Sequence, residues 1–274
     1  MRIFLILIQM IWLFLLTVLT QVGGLIWLLN RALWQRQKSI KGRWAWRSLS
    51  FGLLYFFSAI VLVPLLARLN GRVALPLGTR SERPVAPLSW WTCLSNRHYV
   101  TPALYELAIR QGRFLQKLDA QQHLVYLDAN FPFGRNFPLF PHLSHSDGRK
   151  LDLAFFRYDT RAQKSTTQYP SFMGYGFSEL PAEGELNQPE ICAQRGAWQY
   201  SLLQTWVKAD PKRYPFDAEL NTQLLQNLSQ DPATEKIFIE PHLKGRLGLG
   251  RLNNIRYHGC QAVRHDDHIH VQVK

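Results

Sequence analysis

The sequence predicts an α+β domain, with a small antiparallel sheet and flanking helices, preceded by two transmembrane helices. Residues 1–69 contain no Asp or Glu and hold two long apolar runs. Residues 90–274 mix helix-like and strand-like segments, as α+β domains do. We therefore divide the chain into a two-span membrane anchor at 1–69, a linker at 70–89 and a folded domain at 90–274.

The anchor is predicted from Ile3–Leu29 and Leu49–Ala67, two apolar runs that are each long enough to cross a bilayer. Between them, Arg31–Arg47 carries six Lys and Arg residues, and the positive-inside rule places this segment in the cytoplasm. Both the N-terminus and the domain are then expected on the outer, periplasmic side of the cytoplasmic membrane. A cleaved signal peptide is the competing interpretation of the first run. It is disfavoured because the run is too long and has no clear Ala-x-Ala site.

The strongly basic balance does not indicate a nucleic-acid partner. The formal net charge is +13, but residues 1–69 hold 8 Lys and Arg and no acid. The rest of the chain has 24 basic and 19 acidic residues, so most of the surplus belongs to membrane topology. The mild remaining surplus would suit an anionic polymer such as a cell wall.

Regular elements are predicted along the outer part of the chain. Asn70–Leu88 is rich in Pro, Gly and Arg, and its apolar residues do not repeat at the spacing of a helix or a strand. This composition is typical of a linker. Thr101 and Pro102 form an N-cap followed by proline, which predicts a helix to about Leu118. We further predict strands at His123–Asp128, Leu151–Tyr158 and Lys236–Glu240, helices at Ala197–Ala209 and Phe216–Ser229, a turn at Gly250–Asn254, and a long irregular insertion at Arg157–Pro189.

The last strand carries the first candidate site. From His268 to Val273, polar and apolar residues alternate strictly, which predicts a half-buried strand. Residues i and i+2 of a strand share a face, so His268 and His270 would project side by side. His265 lies just upstream. Two converging imidazoles with a third nearby are what a zinc site requires.

A second group of metal-ligand residue types lies near the middle of the chain. His142 and His145 precede a predicted turn at Ser146–Gly148, and Asp152 lies near the start of the following strand. This spacing would bring a loop histidine back over the first inward-facing position of that strand.

Together, His145-x6-Asp152 and His268-x-His270 resemble the zinc site of the LAS metallopeptidases, which include lysostaphin-type enzymes, D-alanyl-D-alanine peptidases and hedgehog-like domains. The penicillin-insensitive murein endopeptidase family is the most similar, because His142 and His265 also match that family's additional histidines. The resemblance covers roughly residues 90–274.

The resemblance implies a membrane-anchored murein endopeptidase that hydrolyses amide bonds in peptidoglycan cross-bridges. It implies that His145, Asp152 and His270 bind one zinc ion (Zn²⁺) per chain and that His268 is the catalytic histidine. His265 would assist catalysis, and His142 would line the site. Zinc with such ligands supplies an acidified water, and an imidazole can move protons near neutral pH.

Two other functions are compatible with the sequence. A zinc-containing domain that binds the cell wall without turnover is one, and an assembly protein with incidental histidines is the other. Cys93, Cys192 and Cys260 can form one disulfide and leave one thiol, but the sequence does not choose the pair. This departs from the disulfide-rich family that the chain resembles.

Overall fold

The computed structural model describes residues 2–34, 42–200 and 207–274, in a mixed α/β arrangement. Its helices are α1 (Arg2–Thr20), α2 (Gly23–Trp34), α3 (Arg43–Phe57), α4 (Val63–Leu69), α5 (Trp90–Leu94), α6 (Pro102–Leu118), α7 (Gln188–Gln194), α8 (Ala218–Gln230) and α9 (Pro241–Arg246). A π-helical turn at Ser58–Leu62 joins α3 to α4. Its strands are β1 (Val73–Ala74), β2 (Val85–Pro87), β3 (Tyr99–Val100), β4 (Leu124–Tyr126), β5 (Lys150–Ala154), β6 (Arg157–Asp159), β7 (Lys164–Thr166), β8 (Thr234–Phe238), β9 (Ile255–Arg256) and β10 (His268–Val273).

The first apolar run is a helical hairpin. Helix α1 ends at Thr20, the chain turns at Gln21 with a φ of 65°, and α2 returns along α1. Gly24 lies so close to α1 that a Cβ there would be 2.9 Å from the carbonyl oxygen of Leu13. The run Ile3–Leu29 is therefore two helices, and the part of it long enough to cross a membrane is Ile3–Thr20. The Arg2 end of α1 is opposite its Thr20 end, which contacts the folded domain.

Two helical stretches, Ile3–Thr20 and Arg43–Leu69, are long and apolar enough to cross a membrane. Both are fastened to the folded domain. Asn96 Nδ2 donates to the Thr20 carbonyl at the end of α1 (3.2 Å), and Tyr55 Oη of α3 donates to the Leu94 carbonyl (2.6 Å). Part of the basic segment between them, residues 35–41, lies outside the described residues.

A six-stranded sheet organises the domain, in the order β2-β4-β5-β10-β8-β9. The central pairs β4–β5, β5–β10 and β10–β8 are antiparallel, whereas the edge pairs β2–β4 and β8–β9 are parallel. The sheet is thus mixed, not purely antiparallel. Helices α6 and α8 pack against it through buried residues that include Leu104, Leu107, Leu224 and Leu228.

Residues 73–87, which the sequence pattern assigns to a linker, belong to the folded domain. Strand β1 pairs with β3, and β2 forms an edge of the main sheet. Leu75 and Val85 are buried in the main core. Gly71 and Gly78 lie in turns or bends, whereas Pro87 is part of β2.

Several predicted elements are confirmed with small changes in their limits, namely the helices α6 and α8 and the strands β4, β8 and β10. The predicted strand Leu151–Tyr158 is two strands, β5 and β6. Of the predicted helix Ala197–Ala209, residues 201–206 lie outside the described residues, and the described part contains a short 3-10 helix at Trp198–Tyr200. Cys192 and Cys260 form a disulfide, and Cys93 is free.

Replacing Leu75 tests whether residues 73–87 are folded. Leu75 is 1% exposed in the core, so Leu75→Ala should lower the free energy of unfolding by about 2–5 kcal/mol. Leu77 is 66% exposed, so the control Leu77→Ala should change it by less than about 0.5 kcal/mol. Chemical denaturation of the detergent-solubilised chain measures both. Equal, small effects would mean that this segment is a linker.

Candidate metal centre

Two neighbouring strands bring the distant histidine and carboxylate together. In the antiparallel β5–β10 pair, His270 lies directly opposite Asp152, and His268 lies opposite Ala154. Ile269, Val271 and Val273 point into the main core, as the alternating pattern predicts. The site face of β10 is therefore determined by the burial of its apolar face.

Three ligand-type atoms form a compact triangle. His270 Nδ1 is 2.9 Å from Asp152 Oδ1, His145 Nε2 is 3.2 Å from the same oxygen, and the two nitrogens are 3.1 Å apart. Two ligands of a tetrahedral zinc ion lie roughly 3.3 Å apart, as bond lengths of about 2.0–2.1 Å require. The donor set and its spacing therefore fit such an ion.

His145 is held in the orientation that a metal ligand requires. Its Nδ1 lies 2.6 Å from the Ala129 carbonyl oxygen, to which it donates, and this leaves the Nε2 lone pair directed at the triangle. An imidazole that donates its other nitrogen to a carbonyl is typical of metal sites.

A buried arginine forms hydrogen bonds with the loop that carries His142 and His145. The Arg72 guanidinium donates to the carbonyl oxygens of Phe131 (2.7 Å), Gly134 (2.7 Å) and Ser146 (3.1 Å). The same guanidinium packs against Gly148, where a Cβ would lie 2.9 Å from Arg72 Nε. Gly148 also has a φ of +83°, which favours glycine. One side chain thus organises both ends of the loop.

His142 lies beside the other oxygen of the carboxylate. Its Nδ1 is 2.8 Å from Asp152 Oδ2. His142, His145 and Asp152 are all buried, and their ligand-type atoms lie within 4.8 Å of one another, so this group could hold a metal ion. His270 and His142 are thus alternative neighbours of Asp152, one at each carboxylate oxygen. We favour His270 as the third ligand because its triangle is the more compact.

Tyr175, from the long insertion, completes the surroundings of Asp152. Its hydroxyl donates to Asp152 Oδ2 at 2.9 Å and lies 3.3 Å from Asp128 Oδ2. Arg97 Nη2 in turn donates to Asp128 at 2.7 Å. The insertion is anchored at Gly176, whose amide donates to Asp267 Oδ2 at 2.6 Å. The part of the insertion around Tyr175 and Gly176 therefore packs against the site.

His268 lies next to the triangle with one nitrogen available. Its Nδ1 is 2.5 Å from Asp267 Oδ1, which orients the ring. Its Nε2 is 3.7 Å from Asp152 Oδ1, and among the described residues it has no hydrogen-bond partner. An unpartnered, buried imidazole nitrogen beside a ligand cluster is suited to exchange protons with a bound molecule.

Burial and the local charges set opposite protonation states for these groups. Burial opposes the charge on Asp152, but the imidazoles of His145, His268 and His142 outweigh it and hold its pKa well below the usual value. Burial lowers the pKa of His270 to about 3, which keeps the ring neutral. Burial also disfavours charge on His268, yet Asp152 and Asp267 raise its pKa to about 9. A bound cation would oppose that rise.

His265 lies between the triangle and the open cleft. Its ring centroid is 5.0 Å from that of His268 and 5.6 Å from that of His270. Burial and the two neighbouring imidazoles hold its pKa well below the usual value, so it is neutral. The cleft has a volume of about 260 Å³. It is lined by Phe140, Pro141, His142, Leu143, Ser144, His145, Trp198, Gln199, His258, Gln261, Ala262, Val263, His265 and His270.

The structure thus brings together the six residues singled out in the sequence, His142, His145, Asp152, His265, His268 and His270. Sequence reasoning missed Asp128 and Tyr175. Asp128 ends a predicted strand and Tyr175 lies in an aperiodic insertion, so neither stood in a recognisable pattern. A scan against protein-family models and a search of curated proteins give no match.

Removing the Tyr175 hydroxyl should weaken metal binding. Tyr175→Phe keeps the ring and deletes the donor to Asp152, and loss of such an orienting partner typically costs about 10- to 100-fold in metal affinity. Tyr169→Phe is the control, because its buried hydroxyl donates to the Phe155 carbonyl and does not reach Asp152. Competition with a zinc chelator measures both affinities. Equal affinities in the two variants would show that Tyr175 does not support the ligand.

Proposed function

We propose that this chain is a membrane-anchored zinc metallopeptidase that hydrolyses amide bonds in peptidoglycan cross-bridges on the periplasmic side of the cytoplasmic membrane. The observation that carries the proposal is the triangle of His145 Nε2, Asp152 Oδ1 and His270 Nδ1 with the unpartnered His268 Nε2 beside it. The substrate class rests on the resemblance of these residues to murein endopeptidases.

In this proposal, the triangle holds one zinc ion per chain. The bound ion would supply an acidified water and polarise the scissile carbonyl. His270 is neutral and Asp152 is ionised, which are the protonation states that metal ligands need. The hydrogen bond from His145 to Ala129 and that from Tyr175 to Asp152 hold two of the ligands in place.

With a cation bound, which would oppose the raised pKa of His268, this residue would act as the general base and then as the general acid. Its Nε2 would accept a proton from the attacking water and later donate it to the leaving amine, while Asp267 would hold Nδ1–H and compensate the imidazolium charge. The neutral His265 would donate a hydrogen bond to the oxygen on which negative charge develops. No Lys, Arg, Asp or Glu is among the described residues that line the cleft.

Removing a ligand should abolish both metal binding and activity. We expect purified Asp152→Ala and His145→Ala chains to lose bound zinc and to release no cross-bridge products from purified murein. His123→Ala, outside this cluster, is the control. Elemental analysis and chromatographic product analysis are the two measurements. Full wall-digesting activity without bound zinc would defeat the assignment.

Replacing His268 separates an enzyme from a non-catalytic wall-binding domain. His268→Ala should retain zinc, since the three ligands remain, but turn over murein about 10²- to 10⁴-fold more slowly because the proton carrier is gone. Binding of the variant to insoluble murein should be little changed. If wild type and variant both bind murein without releasing products, the chain is a binding domain instead.

A further inference from the structure

An exposed apolar patch lies on the folded domain away from the cleft lining. Trp90 and Trp91 of α5 are 62% and 51% exposed, and their rings stack with centroids 4.2 Å apart. Leu77 is also largely exposed. We call Leu77, Trp90 and Trp91 the aromatic patch. Large apolar side chains clustered at the surface typically mark an interaction site.

The patch is built on a fixed support. Tyr126 Oη donates to the Pro76 carbonyl at 3.0 Å, next to Leu77, and lies 3.4 Å from Cys93 Sγ of α5. One buried tyrosine of β4 thus joins the loop of Leu77 to the helix of the two tryptophans. The patch therefore belongs to the folded domain and keeps its shape.

Its position relative to the apolar helices indicates what covers it. Helix α5 is joined to α3 by the bond from Tyr55 Oη to the Leu94 carbonyl. Two residues later, Asn96 Nδ2 donates to both Tyr55 Oη (3.2 Å) and the Thr20 carbonyl. The patch thus adjoins the Thr20 end of α1 and the middle of the Arg43–Leu69 stretch at Tyr55. If α1 crosses a membrane, the bilayer surface lies near its Thr20 end.

The neighbouring charges fit an anionic membrane surface. Arg80 and Arg83 are exposed and face each other through two backbone hydrogen bonds of 3.1 and 2.9 Å. Arg113 Nη2 donates to the Glu82 carbonyl at 3.2 Å, which adds a third guanidinium to this edge. These arginines follow Leu77 in the same segment of chain, and basic side chains near exposed apolar ones are typical of proteins that lie on anionic headgroups.

We propose that the aromatic patch docks on the surface of the bilayer, with Trp90, Trp91 and Leu77 at the headgroup level and Arg80 and Arg83 on anionic phosphates. Tryptophan is favoured at this depth because its ring is apolar and its N–H remains hydrated. The docking gives the domain one orientation on the membrane. The inference requires that α1 crosses the bilayer, as the proposed function does, but it does not require catalysis.

The test uses the full chain in nanodiscs of phosphatidylethanolamine and phosphatidylglycerol, one chain per disc. In a Cys93→Ser background, a nitroxide label is placed at Leu77→Cys. The accessibility of this label to molecular oxygen, which concentrates in lipid, is compared with its accessibility to a water-soluble nickel chelate. The control is Leu180→Cys, a similarly exposed leucine whose carbonyl accepts from Arg246, which is paired with Glu185. A label at Ile11→Cys in α1 reports the span itself.

We expect the ratio of oxygen accessibility to nickel-chelate accessibility to be several-fold higher for a label at position 77 than for a label at position 180. Adding Trp90→Ala and Trp91→Ala should lower the ratio at position 77 towards the value at position 180. Equal ratios at 77 and 180, with a lipid-like ratio at 11, would overturn the docking and leave the anchor intact. A water-like ratio at 11 would overturn both the docking and the anchor. Protection at 77 that appears only with two chains per disc would assign the patch to a contact between copies instead.

Discussion

The site depends on one cross-strand pair, His270 opposite Asp152. Residues that oppose each other on antiparallel strands have Cβ atoms only about 4.5–5.5 Å apart, so the pairing brings a carboxylate to an imidazole across 118 residues of sequence. The register is secured by the apolar face of β10, because a slip of one residue would move Ile269 and Val271 out of the core and the histidines into it. The core packing that fixes the register of β10 therefore also places His270 beside Asp152.

Burying this pair has an electrostatic consequence. Asp152 is fully buried and ionised, with imidazoles on both of its oxygens. A buried carboxylate is tolerated only when it is paired and hydrogen-bonded. Tyr175 donates to Oδ2 and His142 lies beside the same oxygen, whereas Oδ1 lies beside nitrogens of His270, His145 and His268. Imidazole nitrogens that converge on one carboxylate oxygen form the kind of cluster in which a metal cation would be bound.

The sequence predicted the parts of this arrangement that have a local pattern. Strand β10 alternates strictly, and α6 begins with an N-cap and a proline, so both were found with nearly correct limits. The reversal at Gln21 was missed because composition alone does not separate one long apolar helix from two that fold back. The segment at 73–87 was missed because strands of two or three residues have no measurable period. Tyr175 reaches Asp152 through a tight turn at Gly174, whose φ is +100°. A tertiary contact made in this way produces no repeating pattern of residues in the sequence.

Hydrogen bonds join the apolar helices to the loop of the candidate metal site. Gln21, at the turn of the helical hairpin, exchanges two hydrogen bonds with the backbone of Phe133, and Arg72, just after α4, holds the same loop further along. That loop carries His142 and His145. Because both supports come from residues that lie next to the apolar helices, any displacement of the helices would be transmitted to the ligand loop without an intervening flexible linker. The apolar helices therefore contribute to the geometry of the site, and their removal would delete the Gln21 support of the loop that carries His145.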